Sequence, residues 1–489
     1  MLVVPLLQKP LMIATLSRPL LDALTATVGA NGLLWDRGDM MAYECDGYVI
    51  EKHCPDIVVF PTTTQQVSDV VRIACAFDIP IVARGAGTGL AGGTLPVGGG
   101  MLIVLTKMTA IEEVHLRDRY AVVQAGVVNI KLNERLKGTG YHYAPDPSSQ
   151  GACTIGGNTA TNSGGPHTLK YGVTVNHVLG VEVVFSDGSI VRTGGPSRTP
   201  GLNLTGAIVG SEGTLAIVTR VWVRLTRLPQ AVRTMLIEYG SVDEACRTIG
   251  EIIGAGIIPA ALELMDQGIV RALEAAFSFG FPLDAAALLL VEVDGIEDGI
   301  NQQMERVVEL ATECKATGVR HARDSAERQK LWKCRKLTGA AIGRLAPNYT
   351  TQDGVVPRSA LPHILQYIAN LSARSGIEIV NVAHAGDGNI HPNLLFDERE
   401  PDQIERVIRV GQEILEECLA CGGSVSGEHG IGVEKISLMD RMFSADDLDV
   451  MRRFRNAVNP DGRLGAGKML PTLAGCGITQ SHPRRRGGL

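Results

Sequence analysis

The chain has 489 residues, enough for more than one domain. It is 45% hydrophobic and 20% charged, a globular composition, and its formal charge of −6 gives no general attraction for nucleic acid. No apolar stretch is long enough to cross a bilayer, and the basic run PRRRGGL inside the segment 471–489 reads as a solvated tail.

In chain order, MLVVPLLQKPLMIATLSRPL is apolar but broken by prolines, Lys9 and Arg18, with no basic region ahead of it, so a signal peptide is not expected. Residues 1–50 are read as an extension packing on the domain that follows, 51–228. There, QQVSDVVRIACAFD and NIKLNERLKG predict amphipathic helices, and MLIVLT, YAVVQAG, LGVEVVFSDG, IVRTGG and LAIVTRVWVRL predict strands, with a hairpin at Asp187-Gly188. The domain ends at RLPQAVR. Beyond it, strand patterns (RTMLIEYG, AALLLVEVDG) alternate with helical ones (DEACRTIGEIIGAG, GIVRALEAAF, NQQMERVVELATECKA, LPHILQYIANLSARSG, DQIERVIRVGQEILEECLACG). This order predicts an antiparallel sheet covered by helices over 229–470, and an α+β fold for the chain. The ten cysteines are scattered, and the lone Cys418-x-x-Cys421 pair sits in a helical pattern, so reduced thiols are expected, in a cytoplasmic protein.

The 57 glycines cluster in three places, which brings main-chain N–H groups close to something. The first cluster, ARGAGTGLAGGTLPVGGG, contains a G-x-G-x-x-G and has Glu112 about twenty residues on, as a Rossmann fingerprint would. That reading fails, because Pro96 and Gly98-Gly99-Gly100 precede a strand where the fingerprint needs a helix. A nest of N–H donors for phosphate and a plain surface turn both remain open at this loop. APDPSSQGACTIGGNTATNSGG is too small and polar to build its own core, and GSEGTLAIVT brings a third cluster. Three such segments converging on one ligand imply something as large as a flavin dinucleotide. Near the end, the apolar run IEIVNV leads into HAGDGNIHPN, where two histidines flank a Gly-Asp-Gly turn. Alone, that stretch fits a hydrolase's zinc site, a structural clip or part of a redox site.

The loops ARGAGTGLAGG, YAPDPSSQGACTIGGNTATNSGGPHTLKYG and GSEGTLAIVT resemble the FAD-binding domain of the vanillyl-alcohol-oxidase/para-cresol-methylhydroxylase superfamily. HAGDGNIHPN, SGEHGIGVEK and LWKCRK resemble its FAD-linked oxidase C-terminal domain, and the likeness runs from about residue 40 to 470. It implies a two-subdomain FAD domain and an active site between the two domains. FAD would be bound by Arg84, Gly85, Ala86, Gly87, Thr88, Gly89 and Gly92, by Pro145, Asp146, Ser149, Gly156, Gly157, Asn158, Asn162 and Gly164, and by Glu212, Gly213 and Ile217. The pyrophosphate loop has no histidine or cysteine, so noncovalent FAD is expected, with His167 and Cys153 the nearby groups that could bond it.

The resemblance further implies that His384, His391 and Glu428 hold a divalent metal (Zn²⁺, or Mn²⁺ or Fe²⁺), a donor set sound for those ions. It makes His429 the base that takes a hydroxyl proton while the α-hydrogen leaves as hydride to flavin N5, Arg335 the clamp on a substrate carboxylate, and Asn393 a substrate contact. Members that oxidise 2-hydroxyglutarate carry a lysine where this chain has Thr351, so a small monocarboxylate, glycolate or D-lactate, is expected. D-2-hydroxyglutarate oxidation and a noncatalytic flavin-binding assembly role are the alternatives. No clustered cysteines offer an iron–sulfur centre. The resemblance also implies a second FAD-binding-type subunit and an iron–sulfur subunit feeding membrane quinone, with membrane attachment only through them. Gly465-Ala466 replaces the Asn-Pro that usually precedes Gly467 and Lys468.

Overall fold

The computed structural model describes residues 16–197 and 201–471; the leader reading for the first fifteen residues, Cys476 and the basic run lie outside them. Two small sheets open the chain. In the first, the order is Leu33–Leu34, Ile57–Val59, Met101–Val104, Ile81–Arg84, and the last three strands run parallel. Those three are Val- and Ile-rich because they are covered on both faces. The helix Thr64–Ala76 makes the crossover: the Thr63 hydroxyl caps it, and Val67, Val70, Val71 and Ala74 form its buried stripe. From Gly85 to Gly100 the chain forms no helix, and the strand Met101–Val104 follows, as the prolines and glycines require.

The second sheet is antiparallel, in the order Ile111–His115, Tyr120–Gln124, Ile217–Arg224, Val178–Val184, Ile190–Gly194. The predicted hairpin turn is present: Gly188 has φ +81° and the Asp187 side chain accepts from Ser189 N at 2.8 Å. One difference from the sequence reading lies in the second glycine cluster, which contains a helix, Ile155–Thr161. Its Thr154 cap accepts from Gly157 N, and a side chain on Gly156 would collide with the Ala125 main chain. The small residues there serve close helix–strand packing as well as ligand approach.

The third sheet has eight antiparallel strands. Its order is Gly318–His321, Ala231–Tyr239, Ala287–Gly295, Ala261–Asp266, Ile379–His384, Asn389–Phe396, Asn348–Thr351, with Gly354–Val355 also on Asn389–Phe396. Helices Val242–Gly254, Glu297–Glu313, Leu361–Ser375 and Gln403–Ala420 share one core with one face. Helices Gln267–Phe277 and Ser325–Lys336 cover the other. Cys418 is buried in the helix Gln403–Ala420, Cys421 caps its end, and both are free thiols.

The two halves meet along the glycine loops. Val433 N donates to Ala91 O at 2.9 Å, and Glu212 accepts from Ile431 N and Gly432 N at 2.7 and 2.8 Å. The end of the described chain then turns back onto the first sheets, where Leu464 bridges to Ile81 and Asn459 donates to Thr214 O at 3.0 Å.

Candidate active site between the two domains

HAGDGNIHPN is a β-hairpin, in which His384 pairs with Asn389, Val382 with His391 and Val380 with Asn393. Glu263 lies opposite His384 on the next strand, and Thr351 lies opposite Asn393 on the far side. Residues two apart on a strand share a face, and so do directly paired residues. Glu263, His384, His391, Asn393 and Thr351 therefore project from the same side of the sheet, and Arg335 from the helix Ser325–Lys336 covers them there.

The loop after Gln403–Ala420 brings in the carboxylate. His384 Nε2 and His391 Nε2 stand 3.3 and 3.2 Å from Glu428 Oε1. A tetrahedral ion with bonds of about 2.0–2.1 Å has ligands about 3.3 Å apart, so these separations fit a divalent cation as well as they fit His–carboxylate hydrogen bonds. The tautomer is also suited. His384 Nδ1 is 2.7 Å from Glu263 Oε1, and the Nδ1–H donated to that carboxylate leaves Nε2 as the nitrogen for a ligand role. Arg335 Nε holds the other oxygen of Glu263 at 2.6 Å. Burial opposes charge on His384, but Glu263 and Glu428 outweigh it and raise its pKa to about 10. Burial would raise the Glu428 carboxyl, yet His384 and His391 hold it well below its ordinary value. A proton and a cation thus compete for the same nitrogen.

Asp353 organises the loop that carries Glu428. Fully buried, it accepts from the main-chain N–H groups of Gly427, Glu428 and His429 and from the Ser426 hydroxyl at 2.8–3.1 Å, with Lys435 Nζ at 3.5 Å. His429 stacks on His391, ring centroids 5.0 Å apart. Burial, opposed by Asp353, pushes its pKa down to about 4, so its imidazole is neutral near pH 7. Its Nδ1 has no hydrogen-bond partner among the described residues.

On the first domain, Arg84, Gly85, Gly156, Gly157, Glu212 and Gly213 line one cavity, with Thr154, Ala160 and Ser211. Each residue of Gly85–Leu90 is at least partly exposed. Gly164 approaches Glu428: a Cβ there would stand 3.0 Å from Glu428 Oε2. Glycine loops, histidines and Glu428 thus lie together at the domain junction, and the partly exposed glycine loop leaves room for a dinucleotide cofactor.

Several predicted site residues have their side chains turned to the protein. Arg84 donates to Cys45 O and Thr94 Oγ1 at 2.8 and 3.0 Å and folds against Gly87. Asn158 donates to Asn129, which donates to Pro145 O. Asn162 caps its helix in the left-handed region and accepts from Val175 N. Ile217 is in the core, and Asp146 pairs with His167. The side chains of these residues and of Glu212 are thus engaged by the protein itself. Asn393 differs from its expected role in the same way: its amide donates to His391 O and Val380 O, and its oxygen accepts from Thr351. It fastens the hairpin, and both its amide nitrogen and its oxygen already have partners in the protein. Arg335, which a charged helix would ordinarily expose, is buried; with Nε on Glu263 and Nη1 near Thr338, its Nη2 has no protein partner among the described residues.

Glu263 and Asp353 escaped the sequence reading. Their signal was a carboxylate inside an apolar strand, ALELMD, and another beside a glycine, TQDG. His167 is engaged at both ring nitrogens, by Asp146 at 2.8 Å and Glu292 at 3.3 Å.

Comparison with known proteins agrees with this architecture. Residues 228–469 match the model of the FAD linked oxidases C-terminal domain, and residues 55–194 match an FAD binding domain. The glycolate oxidase subunit GlcD of Escherichia coli (strain K12) is 42% identical, over 93% of this chain and 92% of its own. GlcD of Bacillus subtilis (strain 168) is 37% identical over 88% and 92%, and the mitochondrial D-lactate dehydrogenase [cytochrome] of Arabidopsis thaliana 29% over 85% and 74%. Among solved structures, p-cresol methylhydroxylase with substrate bound superposes with a TM-score of 0.79 at 16% identity, over 92% of this chain and 96% of that one. Alkyldihydroxyacetonephosphate synthase gives 0.73 at 18%, over 92% and 85%; both share the fold. Two adjoining family matches and relatives aligned over nearly the whole length make this chain a member of the FAD-linked oxidase family, an FAD-dependent oxidoreductase.

Proposed function

We propose that the chain oxidises a small 2-hydroxy acid, glycolate first and D-lactate second, to the 2-oxo acid. The observation that carries this reading is the convergence of His384, His391, Glu428 and His429 against Gly164 at the domain junction. GlcD and D-lactate dehydrogenase among the relatives support the substrate class. His384, His391 and Glu428 would hold a divalent cation, which would make a substrate hydroxyl beside it more acidic. FAD, held noncovalently, supplies the acceptor for the α-hydrogen and its electron pair. His429, neutral and without a partner at Nδ1, takes the hydroxyl proton. Arg335 offers Nη2 to the carboxylate, and Glu263 keeps its guanidinium in place.

Thr351 offers no charge to a second carboxylate, which favours a monocarboxylate over D-2-hydroxyglutarate. GlcD is by name a subunit of a larger enzyme, so electrons are proposed to leave through a second FAD-binding-type subunit and an iron–sulfur subunit to quinone. No helix among the described residues is long and apolar enough to cross a membrane, and attachment from the cytoplasmic side through those partners is part of the proposal. The complete set of donors and base speaks against a noncatalytic assembly subunit.

The test is anaerobic mixing of the FAD-loaded chain with glycolate, D-lactate, L-lactate and D-2-hydroxyglutarate, with and without chelator, following flavin absorbance. Bleaching by glycolate or D-lactate that chelation abolishes is the expected result. Bleaching chiefly by D-2-hydroxyglutarate overturns the substrate assignment, and bleaching indifferent to chelator overturns the metal.

A further inference from the structure

Beyond the residues used so far, the chain end packed on the first domain carries a buried cation that forms no ion pair among the described residues. The segment Asn459–Leu470 leaves the second domain and lies along the glycine loops as a strap. Asn459 donates to Thr214 O and Leu464 O, Gly465 N donates to Ile81 O, and Met469 N donates to Gly432 O. Lys468 in this strap is 0% exposed. Its Nζ donates to Gly93 O at 2.7 Å, which is its one hydrogen bond among the described residues. It forms no ion pair there.

The nearest acids are already engaged. Asp46 accepts from Tyr48 N, Thr94 N and the Thr94 hydroxyl, and Glu212 is held by Ile431 N and Gly432 N. Arg84 adds a second positive charge on the same loop. An ammonium has three donors, and burying it with one neutral acceptor is costly unless a bound group completes its shell. Burial, opposed by Asp46 and Glu212, lowers its pKa to about 7, in keeping with a cation short of counter-charge.

We propose that Lys468 is the counter-ion through which the C-terminal strap binds the FAD diphosphate on the loop Arg84–Gly93. Cofactor binding and seating of the strap are then one event, because the strap also touches Gly432, in the turn that follows Glu428 and His429. This inference rests on the FAD reading and adds to it a specific residue.

The experiment compares wild type with Lys468→Gln, which keeps a donor for Gly93 O but removes the charge, and with Lys468→Met. FAD affinity of the apoprotein is read by quenching of flavin fluorescence, ADP affinity by competition, and folding of the apo forms by thermal melting. Expected are losses of about 10- to 100-fold for both FAD and ADP in the two variants, with apo melting temperatures unchanged or higher. FAD and ADP affinities equal to wild type in a folded Lys468→Gln overturn the proposal. So does a loss for FAD with none for ADP, which moves the contact to the flavin ring. Failure of wild type itself to bind FAD overturns the cofactor reading as well and is distinguished by that control.

Discussion

Glu263 sits with one oxygen on His384 Nδ1 and the other on Arg335 Nε, wholly out of water. Burial would raise its pKa, but His384 and Arg335 lower it, so it stays charged. The carboxylate sets which nitrogen of His384 is bare and balances a guanidinium that would otherwise be buried alone. Glu263→Gln therefore acts twice. Metal affinity is expected to fall about 10- to 100-fold, and unfolding free energy by about 3–5 kcal/mol because Arg335 loses its partner. Metal content after equilibrium dialysis and a denaturant titration read the two effects; normal metal retention would show that His384 needs no orienting partner. At His429, replacement by Asn is expected to slow substrate reduction of the flavin by about 10²- to 10⁴-fold while leaving the flavin spectrum unchanged. Stopped-flow absorbance is the measurement, and a rate within tenfold of wild type removes His429 as the base.

At the level of elements, the hairpin and the loop are positioned by different means. The hairpin brings His384 and His391 together by strand register, a local property visible in HAGDGNIHPN. The loop carrying Glu428 has no ladder and hangs on Asp353, whose Oδ2 takes three main-chain N–H groups and one hydroxyl while its Oδ1 accepts from Asn389 Nδ2. Asp353→Asn replaces one acceptor oxygen with a donor, which must then face either the loop N–H groups or the Asn389 amide N–H. A loss of about 2–4 kcal/mol in stability is expected, together with loss of the metal, readable by calorimetry and metal analysis. Gly164→Ala tests the other wall. The added methyl would lie 2.9 Å from Thr168 Oγ1 and 3.0 Å from Glu428 Oε2, so metal affinity should drop. Unchanged metal affinity would mean that Glu428 has room to move.

The whole molecule is closed by contacts between its halves, and one of them titrates. His167 of the first domain lies between Asp146 and Glu292 and stacks on Trp332 at 5.1 Å. Lys170 and Tyr171 bind Asp294 beside it. Burial works against its charge, but Asp146 and Glu292 prevail and raise its pKa to about 10. A folded-state pKa above the unfolded value of about 6.5 means that the folded form holds the proton more tightly. The stabilisation is complete below about pH 6.5 and is lost as pH rises through about 10. Wild type should therefore lose about 1–3 kcal/mol relative to His167→Gln between pH 6.5 and 10. Melting curves of both proteins across that range check it, and parallel curves would remove His167 from the closure.

Much of this was legible before any tertiary structure. Glycine and proline spacing excludes a helix after Gly85, alternating apolar residues predict the strands, and the histidine pair and Glu428-His429 stand out as motifs, because backbone conformation and hairpin register depend on neighbours in sequence. The partners of side chains depend on distant chain. Glu263 meets His384 across 121 residues, and Lys468 meets Gly93 across 375. Packing alone decided that Asn393, Asn158, Asn162 and Glu212 spend their polar groups on the protein, that Arg335 is buried, and that the chain end returns to the glycine loops. Each of these choices answers the requirement that a buried polar group find a partner, and only the assembled molecule offers the partners.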